Sequence, residues 1–334
     1  MDRFDLAVVG GGPGGLQAAL KAALLHKRVV LFDRDRKRSR IFFAPRVANI
    51  PGSGEVIRGS QVIKSGYQAL SRVNAELGDL VRVRENTEVT GIQRLAEGFE
   101  LTHTDEEGTE RSLADVVILA TGVVDRQPWI GPEAYDIGPV LPYANKGLVD
   151  YCLLCDGHTV IGKRVVVIGA DESAVGIAQT LRDGFDADVT VAACIPCATG
   201  EADHEEVDHA KMSERVQEAG IPFLDITIQD IQGLRDDQVI LVDQEGKHHT
   251  FEKAFLSFGW YEVNNELAVQ LGAPTSRAGY LYTDEDCQVL DGKQGEPLGD
   301  LYAVGDLRYE TWNQIPSAWA DAETAVIHAW SQHL

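Results

Sequence analysis

The stretch DLAVVGGGPGG, residues 5–15, joins a short apolar run directly to a glycine-rich turn. The apolar-periodic segment LQAALKAALL, residues 16–25, follows, so the order is strand, tight turn and helix. In such a unit Gly10 permits the turn, Gly12 lets the backbone approach a pyrophosphate, and Gly15 lets the helix pack on the strand. The helix N-terminus then faces the anion. The stretch therefore predicts a Rossmann-like α/β domain that binds a dinucleotide.

Three later segments fit the same domain. RVVLFD, residues 28–33, predicts a strand that ends in Asp33, a carboxylate suited to accept hydrogen bonds from a ribose diol. VVILATG (116–122) and LYAVGD (301–306) are apolar strands that each end in a small residue and glycine, and Asp306 could hydrogen-bond a ribityl or phosphate group. Each is also explained as an ordinary strand end. Together with the first turn they match flavoproteins with two dinucleotide domains, whose FAD domain is divided by an insert.

A second turn of this kind, VVVIGADESAVG, occupies residues 165–176. There Asp171 stands where glycine normally lets the backbone approach a pyrophosphate. The chain has 334 residues, more than the ~100–200 of a typical single domain, so we expect two domains. The predicted fold is α/β, with two Rossmann-like three-layer domains.

The formal net charge of −22 opposes binding to nucleic acid and to anionic membranes, because both attract positively charged patches. Apolar runs stay well short of the ~20 residues of a membrane-spanning helix, and the N-terminus has no signal-peptide pattern, so a soluble cytoplasmic protein is expected. RDRKRSR, residues 34–40, is a basic exception. We interpret it as a solvated loop, and a docking patch for an acidic partner is the alternative.

Four of the five cysteines form two CxxC pairs. In YCLLCDGH, residues 151–158, Cys152 and Cys155 can close a disulfide reversibly, and Asp156 can shuttle the thiol proton. One sulfur would accept electrons from a flavin while the other attacks a substrate disulfide. Buried inert thiols are the alternative.

Neither cysteine pair predicts a metal site. The second pair, Cys194 and Cys197, follows the first after 38 residues, which is longer than the usual spacing of paired zinc ligands. The histidines of HEEVDH, residues 204–209, are five positions apart and do not share the helix face that a metalloprotease motif requires. We expect no bound metal.

The chain resembles the low-molecular-weight thioredoxin reductases over nearly its whole length. The resemblance rests on five segments in the same order: Gly10–Gly15, Asn49-Ile50-Pro51-Gly52, Ala120-Thr121-Gly122, Tyr151-Cys152-Leu153-Leu154-Cys155-Asp156-Gly157 and Ala303-Val304-Gly305-Asp306. It implies a homodimeric enzyme with one FAD per chain and a redox disulfide in the central domain. It also implies that Cys155 faces the flavin, that Cys152 attacks the protein substrate, and that Asp156 is the acid–base group.

The FAD domain is predicted at residues 1–124 and 252–334, and a central NAD(P)-binding-like domain with the CxxC at 125–251. The residues predicted to bind the cofactor are Gly10, Gly12, Pro13, Gly14, Gly15, Asp33, Asn49, Ala120, Thr121, Gly122, Gly305, Asp306 and Gln314. Trp319 and Trp330 fall in a C-terminal helical segment that approaches the flavin of the dimer in the family. Packing in a core or a dimer interface is the commoner role for such aromatic residues.

The sequence departs from the family at its NADPH site. The family turn is GxGxxA, and here Gly169 and Ala174 remain while Asp171 replaces the middle glycine. A carboxylate about 4 Å from a phosphate costs roughly 1 to 4 kcal/mol of Coulomb repulsion. Between Arg182 and Lys211 there is no lysine or arginine to bind a ribose 2′-phosphate, and the strand DVTVAAC ends without the acidic residue that selects NADH. NADPH is therefore not expected as the ordinary reductant, although drift with retained weak binding stays open.

The resemblance offers two other electron routes, a ferredoxin donor and a dithiol oxidase that passes electrons to oxygen. The altered central pocket could hold a second flavin or another ligand, or none. Cys194 and Cys197 could extend a thiol relay or be incidental. The predicted function is FAD-dependent disulfide exchange with a thioredoxin-like protein or a small disulfide or dithiol. Oxidation of small dithiols and a redox sensor without turnover are the alternatives.

Overall fold

The structure is a computed structural model that describes residues 2–51, 53, 56–128, 130–131, 137–194, 209–258 and 261–332. Cys197 and most of the HEEVDH segment lie outside the described residues, as does Gly52 of the Asn-Ile-Pro-Gly segment. Cys194 ends a strand, and its side chain is also outside the description.

The strands and helices are given in chain order. The strands are β1 (Asp2–Val9), β2 (Val29–Asp33), β3 (Val81–Glu85), β4 (Glu88–Arg94), β5 (Phe99–Asp105), β6 (Gly108–Leu119), β7 (Val123–Val124), β8 (Val149–Asp150), β9 (Arg164–Gly169), β10 (Asp188–Cys194), β11 (Phe223–Ile226), β12 (Ile228–Gln232), β13 (Val239–Asp243), β14 (His248–Phe251), β15 (Lys253–Ser257), β16 (Glu262–Val263), β17 (Gln288–Leu290) and β18 (Pro297–Ala303). The helices are α1 (Pro13–Leu24), α2 (Gly59–Leu77), α3 (Leu141–Lys146), α4 (Leu153–Asp156), α5 (Glu172–Phe185), α6 (His209–Glu218), α7 (Glu266–Gln270) and α8 (Ile315–Gln332). Short 3₁₀ turns span Arg36–Arg38, Gly157–Val160, Leu234–Asp236 and Gly305–Leu307.

The chain divides into two compact units. We call the first the terminal unit, and it consists of Met1–Phe43, Asn49–Val124 and Glu262–Leu334. We call the second the central unit, and it consists of Ala44–Ala48 and Asp125–Tyr261.

The terminal unit is built on a sheet whose strand order is β17-β18-β6-β1-β2-β3, with the β4–β5 hairpin paired to β6. The strands from β18 to β3 run parallel. All five residues of β2 are buried, as expected for a parallel strand covered on both faces. Helix α1 packs on one face through Ala18, Ala19, Ala22 and Ala23, which are fully buried. These small side chains let the helix backbone lie close to the sheet.

The central unit has a parallel sheet of order β11-β10-β9-β15-β8 and a separate antiparallel sheet of β12, β13 and β14. The central strand β9 carries four consecutive fully buried residues from Val165 to Ile168. Helix α5 follows β9 and packs on this sheet through Ala174, Val175, Ala178 and Leu181. The unit therefore repeats the strand, turn and helix order of the terminal unit.

The predicted α/β fold class with two Rossmann-like domains is confirmed by these parallel sheets and their helices. The predicted division at residues 124 and 251 and the cofactor assigned to each domain stay predictions. Among the described residues, no helix combines the length and the apolar character needed to cross a membrane.

Candidate active site

The glycine-rich turn of the terminal unit lies at the carboxyl edge of its parallel sheet. Val9 at the end of β1 pairs with Leu119 at the end of β6, and Ala303 at the end of β18 pairs with the same residue. Gly10 has a φ of 112°, and a Cβ at that position would lie 2.3 Å from the carbonyl oxygen of Ala120. Only glycine therefore fits where the first turn meets the end of β6.

Two further glycines of this turn have different roles. A Cβ on Gly15 would lie 1.8 Å from the carbonyl oxygen of Gly10, so glycine is required for α1 to pack on the turn. Gly12 is the N-cap of α1, and the nearest atom to a Cβ there is Ser39 Oγ at 3.7 Å. Pro13 occupies the first helical position, where its missing N–H costs no hydrogen bond. The N-terminus of α1 is thus capped by a residue without a side chain, and no side chain hydrogen-bonds the cap.

Asp33 ends β2 and is buried, with 7% of its surface exposed. The Tyr67 hydroxyl donates a hydrogen bond to Asp33 Oδ2, and the Arg36 guanidinium lies 3.6 Å from the centre of the Tyr67 ring. Burial raises the pKa of the Asp33 carboxyl, while the Tyr67 hydrogen bond and the charge of Arg36 act in the opposite direction. A Cβ on Gly11 would lie 2.4 Å from Asp33 Oδ2, so this carboxylate lies directly against the glycine-rich turn.

Tyr67 and Gly11 are not among the residues predicted from the sequence, although both lie against Asp33. Tyr67 lies on the buried face of the amphipathic helix α2, far along the chain from the turn, and an aromatic residue on such a face predicts only packing. The run of three glycines at residues 10–12 did contain a signal for Gly11, because the Rossmann pattern requires only two of them.

The loops that follow β6 and β18 begin with residues of the predicted cofactor site, Thr121, Gly122 and Gly305. Thr121 Oγ1 donates to the Asn264 carbonyl oxygen at 2.6 Å, and Asn264 Nδ2 donates back to the Thr121 carbonyl oxygen at 2.9 Å. These two hydrogen bonds connect the end of β6 to the segment that leads into α7. Gly122 and Gly305 have φ values of 64° and 70° in the region that favours glycine.

Asp306, Asn49 and Gln314 also lie in the terminal unit. Arg40 Nη1 lies 3.3 Å from Asp306 Oδ2. Asn49 Nδ2 donates to Gln314 Oε1 at 2.8 Å, so the fold brings together two predicted cofactor residues that are far apart in sequence. Gly14 packs against Val304 and Ala318, which links the first turn to the start of α8.

The basic segment at residues 34–40 forms ion pairs within the terminal unit. Arg34 Nη1 lies 2.9 Å from Glu88 Oε1, Arg36 pairs with Glu85, and Arg40 pairs with Asp306. These pairs reduce the positive charge that the segment can offer to an acidic partner.

The disulfide of the central unit joins Cys152 and Cys155, whose Cα atoms are 5.2 Å apart. Cys152 is the N-cap of the single-turn helix α4, and the Cys155 N–H points at Cys152 Sγ at a distance of 3.2 Å. A thiolate at Cys152 would be stabilised by this N–H. Leu154 between the two cysteines is exposed.

Asp156 follows the disulfide and is partly buried. Burial raises the pKa of its carboxyl, and the positive charges of Lys253 and Arg46 lower it. A Cβ on Gly157 would lie 2.9 Å from the Phe185 ring, which explains the glycine after Asp156. Burial thus favours the protonated form of this carboxyl, and its position next to Cys155 suits proton exchange with a thiol.

The turn after β9 is closed by its own side chains. Asp171 is the N-cap of α5, and its Oδ1 accepts hydrogen bonds from the Ser173 N–H at 2.9 Å and the Ser173 hydroxyl at 2.5 Å. Ser173 Oγ lies 2.8 Å from Ser257 Oγ. Glu172 forms ion pairs with Lys211 at 2.9 Å and Arg215 at 3.5 Å. A carboxylate of the chain therefore occupies the N-terminus of α5, where a Rossmann domain binds phosphate.

Lys253 and Asp150 form a buried ion pair in the central unit that was not predicted from the sequence. A charge inside each of two apolar segments, GLVDYC and KAFLS, was the available signal. Within the described residues, no cluster of three or more metal-ligating side chains is present.

A family model described as pyridine nucleotide-disulphide oxidoreductase matches residues 4–322. The chain belongs to this family. Among curated relatives of this oxidoreductase, the thioredoxin reductase of Helicobacter pylori is 26% identical, and the match covers 97% of each chain. The 34.2 kDa protein in rubredoxin operon of Clostridium pasteurianum is 24% identical, with 98% of this chain and 96% of the relative covered.

Solved structures share the fold of this oxidoreductase. The thioredoxin reductase of Streptococcus pyogenes superposes with a TM-score of 0.76 at 22% identity, covering 98% of this chain and 97% of that one. The thioredoxin reductase of Giardia duodenalis gives a TM-score of 0.75 at 22% identity, covering 99% of both chains. The predicted resemblance to thioredoxin reductases and the predicted enzyme class are confirmed: the chain is a thioredoxin-reductase-like flavin disulfide oxidoreductase.

Proposed function

We propose that this oxidoreductase binds FAD, exchanges electrons between the flavin and the Cys152–Cys155 disulfide, and passes them to a thioredoxin-like protein without NADPH as its ordinary reductant. The observation that carries the proposal is the difference between two helix N-termini. That of α1 is capped by Gly12, which has no side chain, and that of α5 is capped by the carboxylate of Asp171.

The terminal unit fits a dinucleotide such as FAD. A ligand phosphate can approach the backbone at Gly12, because the nearest atom to a Cβ there is 3.7 Å away. Asp33 lies beside the same turn and can accept a hydrogen bond from a ribose hydroxyl. FAD supplies the two-electron redox chemistry when it is bound, and we propose one FAD per chain. We assign the other predicted cofactor residues to the same site: Gly10, Pro13, Gly14, Gly15, Asn49, Ala120, Thr121, Gly122, Gly305, Asp306 and Gln314.

The central unit fits NADPH poorly. Asp171 satisfies the backbone N–H of Ser173 and places a negative charge where the pyrophosphate of a dinucleotide would lie. Repulsion between this carboxylate and a phosphate about 4 Å away is worth roughly 1 to 4 kcal/mol. A second flavin bound through its pyrophosphate would meet the same repulsion.

The disulfide accepts two electrons and two protons when it is reduced to two thiols. In the proposed cycle Cys155 would receive the two electrons that bound FAD supplies, and Cys152 attacks the partner disulfide. The new bond joins Cys152 to one partner sulfur, the other partner sulfur leaves and takes a proton, and Cys155 then resolves the mixed disulfide. Asp156 accepts the proton from the thiol that attacks and donates a proton to the sulfur that leaves.

Anaerobic titration of the holoenzyme with NADPH tests whether this cofactor can reduce the flavin. The oxidised flavin spectrum is expected to persist, because Asp171 repels the cofactor. Rapid bleaching at micromolar NADPH would contradict the proposal. The matched titration with photoreduced ferredoxin is the test of the alternative donor, and bleaching there identifies a ferredoxin as sufficient.

Photoreduced holoenzyme tests the disulfide exchange. Transfer of electrons to oxidised thioredoxin is expected for the unaltered enzyme and is expected to be lost in Cys152→Ser and Cys155→Ser. Peroxide formed from added small dithiols and oxygen would instead indicate a dithiol oxidase. A protein that does neither at a useful rate is a redox sensor.

We also propose the molecular setting that the family resemblance implies. The FAD domain consists of residues 1–124 and 252–334, the central domain of residues 125–251, and the enzyme is a cytoplasmic homodimer. The flavin-to-chain ratio of the purified enzyme and its mass in solution test the cofactor count and the dimer.

A further inference from the structure

A buried ion pair lies next to the redox segment of the central unit. Lys253 begins β15, and its Nζ lies 2.5 Å from Asp150 Oδ2 at the end of β8. The two side chains are only 7% and 6% exposed. Strands β15 and β8 are parallel neighbours, with Ala254 paired to Val149, which brings the two charges together. Cys152 follows Asp150 by two residues, so the pair lies at the base of the disulfide segment.

The ammonium group also contacts the turn that follows the disulfide. Lys253 Nζ donates to Thr159 Oγ1 at 2.6 Å, and the Thr159 hydroxyl donates to the Asp156 carbonyl oxygen at 2.7 Å. The Lys253 ammonium is thus held between Asp150, two residues before the CxxC, and the Thr159 hydroxyl, which bonds the backbone of Asp156. Thr159, Asp150 and Lys253 therefore fix the position of a charge relative to Asp156.

A buried ion pair needs a reason, because removing two charges from water costs about as much as their attraction returns. An apolar pair of similar volume would often be as stable. The Lys253 charge does have a further partner: together with Arg46, it lowers the pKa of Asp156 against the effect of burial. The pKa of Asp150 is raised by burial and by the charge of Asp156, and it is lowered by the charges of Lys253 and Lys163.

We propose that Lys253 and Asp150 are positioning residues that control when Asp156 releases its proton, with Lys253 favouring release and Asp150 moderating it. This inference rests on the proposed role of Asp156 as the acid–base group of the disulfide. The charged groups that face the cluster are Lys253 from β15, Asp150 from β8, Arg46 from the 44–48 segment and Lys163 from the residue before β9.

The proposal predicts shifts of opposite sign. Replacing Lys253 by methionine removes the positive charge, so Asp156 keeps its proton to higher pH. Replacing Asp150 by asparagine leaves the Lys253 charge without its counterion, so Asp156 loses its proton at lower pH. Residues that only stabilised the fold would not move a titration in opposite directions.

The measurement is the rate at which dithiothreitol reduces the disulfide of the oxidised holoenzyme, followed by quenching and thiol labelling as a function of pH. The dithiol thiolate forms a mixed disulfide with one cysteine as the Cys152–Cys155 bond breaks, and the leaving sulfur takes a proton from Asp156. The second dithiol sulfur then closes the oxidised ring and releases the other cysteine as a thiol. After correction for ionisation of the dithiol, the rate falls as pH rises through the pKa of Asp156. Asp156→Asn is expected to remove this fall.

We expect the midpoint of this fall to move up by about one pH unit in Lys253→Met and down by a similar amount in Asp150→Asn. Lys247→Met, which changes an exposed lysine of the same unit, is the matched control and should leave the midpoint unchanged. Midpoints that stay in place, or that move in the same direction, would overturn the inference.

The double variant Lys253→Met with Asp150→Asn covers the case in which Lys253→Met alone does not fold. Its midpoint should return from the Asp150→Asn value toward higher pH, because Lys253 is the source of the downward shift. A double variant that keeps the Asp150→Asn midpoint would contradict the inference. If Asp156→Asn leaves the pH dependence intact, the proposed role of Asp156 fails instead.

Discussion

Among single residues, Asp171 has two effects on the helix that it caps. Its carboxylate accepts the N–H of Ser173, which would otherwise need a partner in water or in a ligand. It also places a negative charge at the positive end of the α5 dipole. Both effects are those that a bound phosphate would have, so α5 does not need an anion for its stability.

The cap predicts a difference between two substitutions of Asp171. Asp171→Ala should lower the free energy of unfolding by about 1 kcal/mol, because an N-cap side chain is lost. Asp171→Asn should stay close to the unaltered protein, because asparagine is also a good N-cap. Urea unfolding followed by far-UV circular dichroism measures both, and equal losses would show that the cap is not what stabilises α5.

Asp150 predicts a pH dependence of stability. Burial raises its pKa to about 6 against a usual value of 3.8, with Lys253 opposing the shift. Between those values the folded state holds a proton that the unfolded state has released, so the folded state loses stability as pH rises through the window. Asp150→Asn should remove a fall on the order of 1–3 kcal/mol between pH ~4 and ~6.

Guanidinium unfolding of the holoenzyme at several pH values measures this fall. The exposed Asp237 has a left-handed backbone conformation that asparagine also tolerates, so Asp237→Asn is a matched control. The control should keep the slope of the unaltered protein. An unchanged slope in Asp150→Asn would show that Asp150 is ionised throughout the window.

At the scale of elements, α1 directly follows β1 and α5 directly follows β9, each on a parallel sheet, and the two helices differ at the N-cap. Gly12 leaves the end of α1 open, and Asp171 closes the end of α5. The rest of each turn is similar, since Gly10 and Gly169 both lie too close to a neighbouring strand for a side chain. The N-cap residue is therefore the main difference between the two turns at the level of elements.

Transferring the cap to α1 should abolish flavin binding. Gly12→Asp would give α1 an internal carboxylate, which would satisfy its first N–H groups and repel the FAD phosphates. The expected result is a folded protein with a strongly reduced ratio of flavin to protein absorbance. Gly292→Asp, at a loop glycine of the same unit with open space around its Cβ, should keep its flavin.

The elements differ in how much of them the sequence could predict. Residues 5–15 predicted β1, the turn and α1, because spacing and residue type act locally there. The sequence identified Asp171 as an obstacle but not as a cap, although an aspartate directly before a helical segment is itself an N-cap signal. Asp150 and Lys253 could not be paired from the sequence, since about a hundred residues separate them and only the order of β8, β9 and β15 brings them together.

At the scale of the whole molecule, the net charge of −22 acts on every approaching protein. The basic segment at residues 34–40 is largely neutralised by its ion pairs with Glu85, Glu88 and Asp306. An acidic partner such as a ferredoxin would therefore approach against a long-range repulsion.

This charge predicts an ionic-strength effect on electron transfer. The second-order rate with an acidic thioredoxin should rise with added salt, because salt screens the repulsion. Stopped-flow mixing of photoreduced holoenzyme with acidic and basic thioredoxins measures it, and the rate with a basic thioredoxin should fall over the same range. A rate with the acidic protein that also falls would reveal a local positive docking site.

The side chain that closes α5 also determines how the protein should behave in purification. Resins with immobilised adenosine phosphates retain dinucleotide enzymes because their helix N-termini are free to take up the phosphate. In this protein the central unit already holds a carboxylate at that position, through Asp171. The FAD-loaded enzyme should therefore pass through such a column, which would separate it from NADPH-dependent reductases of the same size and fold.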